Sequence, residues 1–241
     1  MSSPRHRHPG APRTDENRTE TPQGDLAAEM EVIDVSPTSR TDTVRPSVAH
    51  GRSAAEVQEL YRLADETARD SQIYLDAVTE VAAGSQPDSA IPVMLLALSQ
   101  ILLAGARLGA ITDVVPSERF ERDPGPDADV DPLRANLANL FEGVDEYVEV
   151  DDPLTRPDVV AGSLSGDIAF VAADLAHGLH HYGAGRVDEA LWWWQYSYLS
   201  SWGQRASGAL RVFQSMIGHL RLDVDAETAA DAEFDALHPQ D

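Results

Sequence analysis

The chain has 241 residues, of which 42% are hydrophobic, and it contains no cysteine. All 18 cationic side chains are arginines, against 41 acidic ones, and the net charge of −23 disfavours direct binding of nucleic acid or of an anionic membrane. The missing cysteine excludes disulfides, thiol nucleophiles and cysteine zinc sites, and the missing lysine excludes a P-loop phosphate site. We expect a soluble cytoplasmic protein without a cofactor.

Both ends of the chain are predicted to lack a packed core. Residues 1–52 contain six prolines and no aromatic residue, and residues 223–241 contain seven acidic residues and no arginine. Such segments bury too little apolar surface to offset the entropy lost on ordering, so we predict a disordered leading tail and a flexible acidic closing tail. Residues 53–222 remain for one domain, which is enough for a single hydrophobic core.

Six segments within residues 53–222 have the apolar spacing of helices, and none alternates convincingly as a strand, which predicts an all-α bundle of about six helices. The first begins at a capping-box pattern, Ser53 with Glu56, and ends at Gly84. The second, residues 89–109, is apolar all round and is predicted to be a buried central helix. A membrane span is the alternative, but Pro92 and an apolar run of only 17 residues disfavour it.

The third segment follows Asp131 and Pro132, and the spacing predicts a helix that continues through Val144 to Tyr147. Its opposite side carries four acidic residues: Glu142, Asp145, Glu146 and Glu149. Carboxylates spaced in this way bind magnesium in all-α nucleotide pyrophosphohydrolases, but no second acidic helix is evident to face them. A solvated surface accounts for the same pattern.

The fourth segment, residues 167–182, places Asp174, His177 and His181 within about 60° of one another on the side opposite its apolar stripe. One carboxylate and two imidazoles can bind a metal ion, and a histidine can act as a general base. The alternative is a polar surface, with the histidines near the helix C-terminus, where positive charge is favourable.

The fifth segment contains three consecutive tryptophans. Helical projection gives one apolar stripe with Trp194 and a second with Trp192, Tyr196 and Leu199, which predicts a helix between two layers. Trp193 falls in the polar sector and is the candidate exposed anchor, since tryptophan is enriched in interface hot spots. The alternative is that its ring packs under a loop or a tail. A second capping-box pattern, from Ser201 to Gln204, predicts that the sixth helix starts there.

The sequence resembles a bacterial family designated domain of unknown function 5063, in its actinobacterial form. The resemblance covers about residues 70–222 and rests on these stretches: EVA at 80–82, PDSA at 87–90, LSQILLAGARLG at 98–109, HGLxHY at 177–182, EALWWWQ at 189–195 and SWG at 201–203. It implies a soluble cytoplasmic helical domain with no established activity, cofactor or site.

Two functions follow as hypotheses. The first is an accessory module that binds a protein partner through Trp193, together with Trp192 and Tyr196. The second is a metal-dependent or acid–base enzyme that uses Asp174 and the two histidines of the fourth helix, with the carboxylates of the third helix beside them. A membrane-associated protein is a third hypothesis, which the polar interruptions of the second helix disfavour. The sequence does not specify the oligomeric state.

Overall fold

The computed structural model describes residues 53–116, 127–152, 154 and 156–222, all within the unit Glu31–Asp241. Both predicted tails lie outside the described residues. Six α-helices build the domain, which confirms the predicted all-α class: α1 (Ala54–Ala82), α2 (Pro87–Gly109), α3 (Asp131–Leu140), α4 (Leu164–Gly183), α5 (Val187–Ser197) and α6 (Gly203–Leu222). A hairpin of β1 (Glu146–Asp152) and β2 (Arg156–Ser163) precedes α4.

Helix α1 has the ends that its sequence predicts. The Ser53 hydroxyl accepts a hydrogen bond from the Glu56 amide at 3.3 Å, and the Glu56 carboxylate accepts one from the Ser53 amide at 2.6 Å. These two bonds satisfy two backbone donors that the first helical turn leaves open. Gly84, with a φ of +66°, ends the segment in the left-handed region. On its inner side the buried Tyr74 donates to the carbonyl of Ile168 in α4.

Helix α2 packs into the core along one side only. Eight of its residues are buried, whereas Leu96 and Leu103 on the other side are 69% and 54% exposed. The expectation of burial all round is therefore wrong on the outer side. With a mean hydropathy of 1.9 over 18 residues, α2 could cross a membrane by length and composition alone, a test that core helices also pass.

The third helix is shorter than predicted, and the residues after it form a hairpin. Helix α3 ends at Leu140, and Gly143, with a φ of +85°, turns the chain out of the helical direction. The two strands pair antiparallel, with Glu146 opposite Ser163, and the register shifts between Val150 and Asp152. The prediction that the helix continues to Tyr147 and that no strand is present is thus wrong, because the left-handed Gly143 interrupts the helical stripe and the residues after it pair with β2.

Helices α5 and α6 form one rod, joined by a π-helical turn at Tyr198–Trp202. The predicted new start at Ser201 is wrong, since its hydroxyl donates to the carbonyl of Ser197, 3.0 Å away, and the helix continues. The predicted burial of α5 on two sides is also wrong. Trp194 is fully buried, but Tyr196 and Leu199 of the second stripe are 54% and 62% exposed.

Trp194 packs directly on the backbone of α4. A Cβ atom built on Gly178 would lie 2.0 Å from the indole Nε1 of Trp194, so only glycine permits this approach. The same indole nitrogen donates to the carbonyl of Leu175 at 3.2 Å. This contact fixes the rotation of α5 about its axis and thereby sets which of its aromatic side chains face outward.

Candidate functional site

An aromatic face, defined here as Trp192, Trp193 and Tyr196, lies on the outer side of α5. The rings of Trp192 and Tyr196 stack with centroids 5.6 Å apart and planes 13° apart. The Trp193 centroid lies 6.1 Å from that of Trp192 and 6.5 Å from that of Tyr196. The three residues proposed from the sequence as partner-binding are therefore in mutual contact.

Trp193 is held in place by α4. Its indole nitrogen donates to the Asp174 carbonyl at 3.0 Å, and its ring lies on the His177 imidazole with centroids 4.1 Å apart. The side chain is consequently half-buried, rather than an exposed anchor as the helical projection suggested. The most exposed member of the aromatic face is Tyr196. The sequence does not reveal this difference, because it depends on where α4 crosses α5.

Of the three side chains proposed as a metal or acid–base site, the two histidines are in contact, with ring centroids 5.1 Å apart. His181 is fully buried, with Nδ1 3.1 Å from the Glu189 carboxylate. The Nδ1 of His177 lies 3.5 Å from the Asp127 carboxylate, and the Asp174 carboxylate accepts from the Ser201 hydroxyl at 3.3 Å. Within the described ranges, no group of three His, Asp or Glu side chains is placed to hold a metal ion.

The acidic residues after α3 serve the opposite end of α4. The Asp145 carboxylate accepts hydrogen bonds from the Ser163 hydroxyl at 2.9 Å and from the Ser165 amide at 2.7 Å, at the first turn of α4. His177 follows Ser165 by twelve residues, or about 18 Å along the helix. The structure therefore does not bring these carboxylates together with the histidines.

Burial changes the proton affinity of two groups along α4. It raises the pKa of Asp174, and the hydrogen bond from Ser201 opposes this shift. Burial lowers the pKa of His180, and the neighbouring imidazoles of His177 and His181 lower it further. Both shifts disfavour the charged form, since the surrounding protein replaces water around it.

An acidic cleft with a cavity of about 650 Å³ lies between the hairpin, the first turn of α4 and the start of α6. Four carboxylates and one guanidinium line it, for a net charge of −3; these are Glu146, Glu149, Asp151, Asp167 and Arg205. The remaining lining is small or hydroxylated apart from Val160 and Gln204. The sequence analysis missed the cleft, because it placed Glu146 and Glu149 on the third helix rather than on a strand.

Asp167 is the buried centre of the acidic cleft. Its carboxylate accepts hydrogen bonds from the Tyr147 hydroxyl and from the Arg205 guanidinium, each at 2.7 Å. Burial, together with the bond to Asp167, raises the pKa of Tyr147, which stays a neutral donor. Burial and the charge of Asp167 raise the pKa of Glu149 as well. Asp167 and Arg205 thus neutralise each other at the base of the cleft.

The other three carboxylates of the acidic cleft have no such partner. Among the described side chains, no ion pair joins Glu146, Glu149 or Asp151 to an arginine or histidine, and the charges of Arg211 and Arg205 act on Glu149 only over a longer distance. Gly208 of α6 provides room for this arrangement, because a Cβ atom there would lie 2.5 Å from a Glu149 carboxylate oxygen and 2.7 Å from the Tyr147 hydroxyl. The cleft therefore presents unpaired negative charge to an incoming group.

One seam between α4 and the α5–α6 rod connects the aromatic face with the acidic cleft. Asp174 contacts both surfaces along this seam. Its carbonyl accepts a hydrogen bond from Trp193 of the aromatic face, and its carboxylate accepts one from Ser201, which lines the acidic cleft. One turn earlier on α4, the ring of Phe170 lies 4.4 Å beneath the Arg205 guanidinium. The two surfaces are thus parts of one continuous strip.

A protein-family model matches most of the described residues. The family model described as a domain of unknown function, DUF5063, matches residues 58–219. The chain belongs to this family. The matched range takes in the helices and the hairpin that build the aromatic face and the acidic cleft. No curated protein matches the chain.

One solved structure is similar to this member of DUF5063, the crystal structure of protein BF1032 from Bacteroides fragilis. The two are 16% identical with a TM-score of 0.49, and the match covers 72% of this chain and 96% of the other.

Proposed function

We propose that this DUF5063 protein is a binding module that holds a protein partner on its aromatic face. The observation that carries the proposal is the stacked pair of Trp192 and Tyr196 on the surface, with Tyr196 54% exposed. Tyrosine and tryptophan supply much of the binding energy in protein interfaces. Large stacked rings left open to solvent are costly unless another surface covers them.

The aromatic face is already held in shape before a partner arrives. Trp193 is fixed by its hydrogen bond to Asp174 and by its contact with His177, and Trp192 and Tyr196 stack on each other. Binding therefore orders few side-chain torsions, which lowers its entropic cost. The enzyme hypothesis has less support: the rings of His177 and His181 are in contact, but Asp174 accepts from Ser201, and within the described ranges no group of three His, Asp or Glu side chains is placed to hold a metal ion.

The test compares partner binding by wild-type protein with that by Tyr196→Ala, whose side chain is exposed enough to be removed without opening the core. We expect the affinity to fall by about 30-fold, the equivalent of a 2 kcal/mol hot spot. Leu220→Ala is the matched control, since Leu220 is 73% exposed on α6 and should leave affinity unchanged. Partners are first captured by crosslinking to the full chain in its native cells and are then measured singly by calorimetry.

Equal affinity of Tyr196→Ala and Leu220→Ala for every captured partner would contradict the proposal. Trp193→Ala is a weaker test taken alone, because this ring also packs on α4. Its melting temperature must therefore be measured beside its affinity. We further propose, on the sequence pattern alone, that the protein is cytoplasmic and of the actinobacterial form of the family.

A further inference from the structure

The aromatic face adjoins a surface of opposite chemical character, the acidic cleft. From this juxtaposition we propose that the partner binds through a short basic segment, with an arginine or lysine in the acidic cleft and a large apolar side chain on the aromatic face. This inference rests on the proposed function, to which it adds the chemistry of the partner.

The charge of the acidic cleft selects the sign of its occupant. Glu146, Glu149 and Asp151 line the cavity and form no ion pair among the described side chains. Arg205 in the lining is already bonded to Asp167, and Arg211, whose charge acts on Glu149, donates to the Val148 carbonyl. A cationic side chain that enters gains charge-assisted hydrogen bonds, whereas an anionic one meets repulsion. The whole chain, at −23, further attracts a basic partner and repels an acidic one.

The seam makes the two surfaces accessible to one ligand. Trp193 at one end and Ser201 at the other both bond to Asp174, so no intervening element separates the aromatic face from the cleft. Ser200 also lines the cleft, and its hydroxyl donates to the Tyr196 carbonyl one turn earlier. A peptide laid along the α5–α6 rod therefore reaches both surfaces.

The geometry also sets the spacing within the ligand. Tyr196 and Gln204, which lines the cleft, are eight residues apart on the rod, or about 12 Å at the helical rise. An extended peptide advances about 3.3 Å per residue. The basic and the apolar side chain should consequently be separated by three or four positions.

The experiment uses the full chain and a labelled six-residue peptide with two adjacent arginines, a Gly-Ser-Gly spacer and a tryptophan. Control peptides replace the arginines by glutamates, the tryptophan by alanine, or remove the spacer. Fluorescence anisotropy should show the tightest binding for the first peptide, with affinity falling as salt rises. Glu146→Gln/Glu149→Gln should weaken its binding about fivefold, as the loss of two surface ion pairs does. Asp76→Asn/Glu80→Gln, on the exposed side of α1, removes the same net charge and should change affinity much less.

Each result decides between the inference and its competitors. Equal weakening by the two double variants would show attraction to overall charge only, and equal binding of the peptide without tryptophan would show a cation site unconnected to the aromatic face. Either result, or no binding above the glutamate control, overturns the inference. If Tyr196→Ala weakens a captured partner while Glu146→Gln/Glu149→Gln does not, the proposed function stands and the basic segment is wrong. If Tyr196→Ala changes nothing, the proposed function itself falls.

Discussion

Gly178→Ala tests the close packing of α5 on α4 that orients the aromatic face. An added Cβ atom at Gly178 would lie 2.0 Å from Nε1 and 2.4 Å from Cδ1 of the buried Trp194 indole. Real Cβ atoms do not approach other heavy atoms so closely, so α4 and α5 must move apart. The indole is the rigid part of a fully buried side chain and cannot swing aside.

The magnitude follows from three contributions to the free energy of unfolding. Overpacking of a core costs about 1–3 kcal/mol, and loss of the Trp194 hydrogen bond to Leu175 costs about 1 kcal/mol. Alanine returns about 0.5–1 kcal/mol as the better helix former. The net destabilisation is about 1–3.5 kcal/mol, which lowers the melting temperature of a domain of this size by roughly 2–14 °C.

The assay is urea unfolding followed by tryptophan fluorescence and circular dichroism. Gly183→Ala in the same helix is the control, because a Cβ atom there meets nothing within 4 Å. It should be neutral or slightly stabilising. If the two variants unfold at the same urea concentration, the described contact between Gly178 and Trp194 is wrong.

The structure also predicts how three further substitutions change the stability of the protein. Glu189→Gln removes a buried carboxylate charge that lies 3.4 Å from the Arg186 guanidinium and 3.1 Å from His181, and we expect a loss of roughly 3 kcal/mol in urea unfolding. A loss below about 1 kcal/mol would mean that this carboxylate is not paired in solution. Burial raises the pKa of Asp174, so ionising this carboxyl lowers the stability of the fold as the pH rises above the pKa of Asp174 in the unfolded chain. Asp174→Asn should therefore stabilise the protein more at about pH 7 than at about pH 3.5. An equal effect at both pH values would contradict the raised pKa. Ser53→Ala breaks the capping box of α1 and should cost about 1 kcal/mol, measured by calorimetry, whereas unchanged stability would show that the first turn is frayed.

The helices were predictable where local chemistry defines them. The capping pair of Ser53 and Glu56 and the left-handed Gly84 are short-range signals, and both ends of α1 follow from them. The hairpin was not predictable in the same way, since Val144 and Tyr147 also continue a helical stripe from Leu140. What decides between the two is Gly143, together with tertiary contacts that a single sequence does not contain.

The composition of the candidate site was predictable, but its orientation was not. The sequence groups Trp192, Trp193 and Tyr196 on one helix, and the structure places them in contact. Exposure depends on which neighbour covers each ring, and His177 of α4 covers Trp193. Likewise, the side-chain directions of Asp174 and His181 depend on the approach of the π-helical turn and of α5, about which helical projection says nothing.

The hairpin turns polar side chains towards the helices and apolar side chains towards solvent, the reverse of the usual arrangement. Tyr147 and Glu149 point towards α6, while Val148 and Val150 are 64% and 44% exposed to solvent. A two-stranded ribbon is marginal by itself, and polar contacts such as the Tyr147–Asp167 bond tie this one to the helices. Such a ribbon opens locally at a lower free energy than the helical core, so its amide protons should exchange with deuterium first. We therefore expect this wall of the acidic cleft to open locally while the helical bundle beneath it stays folded.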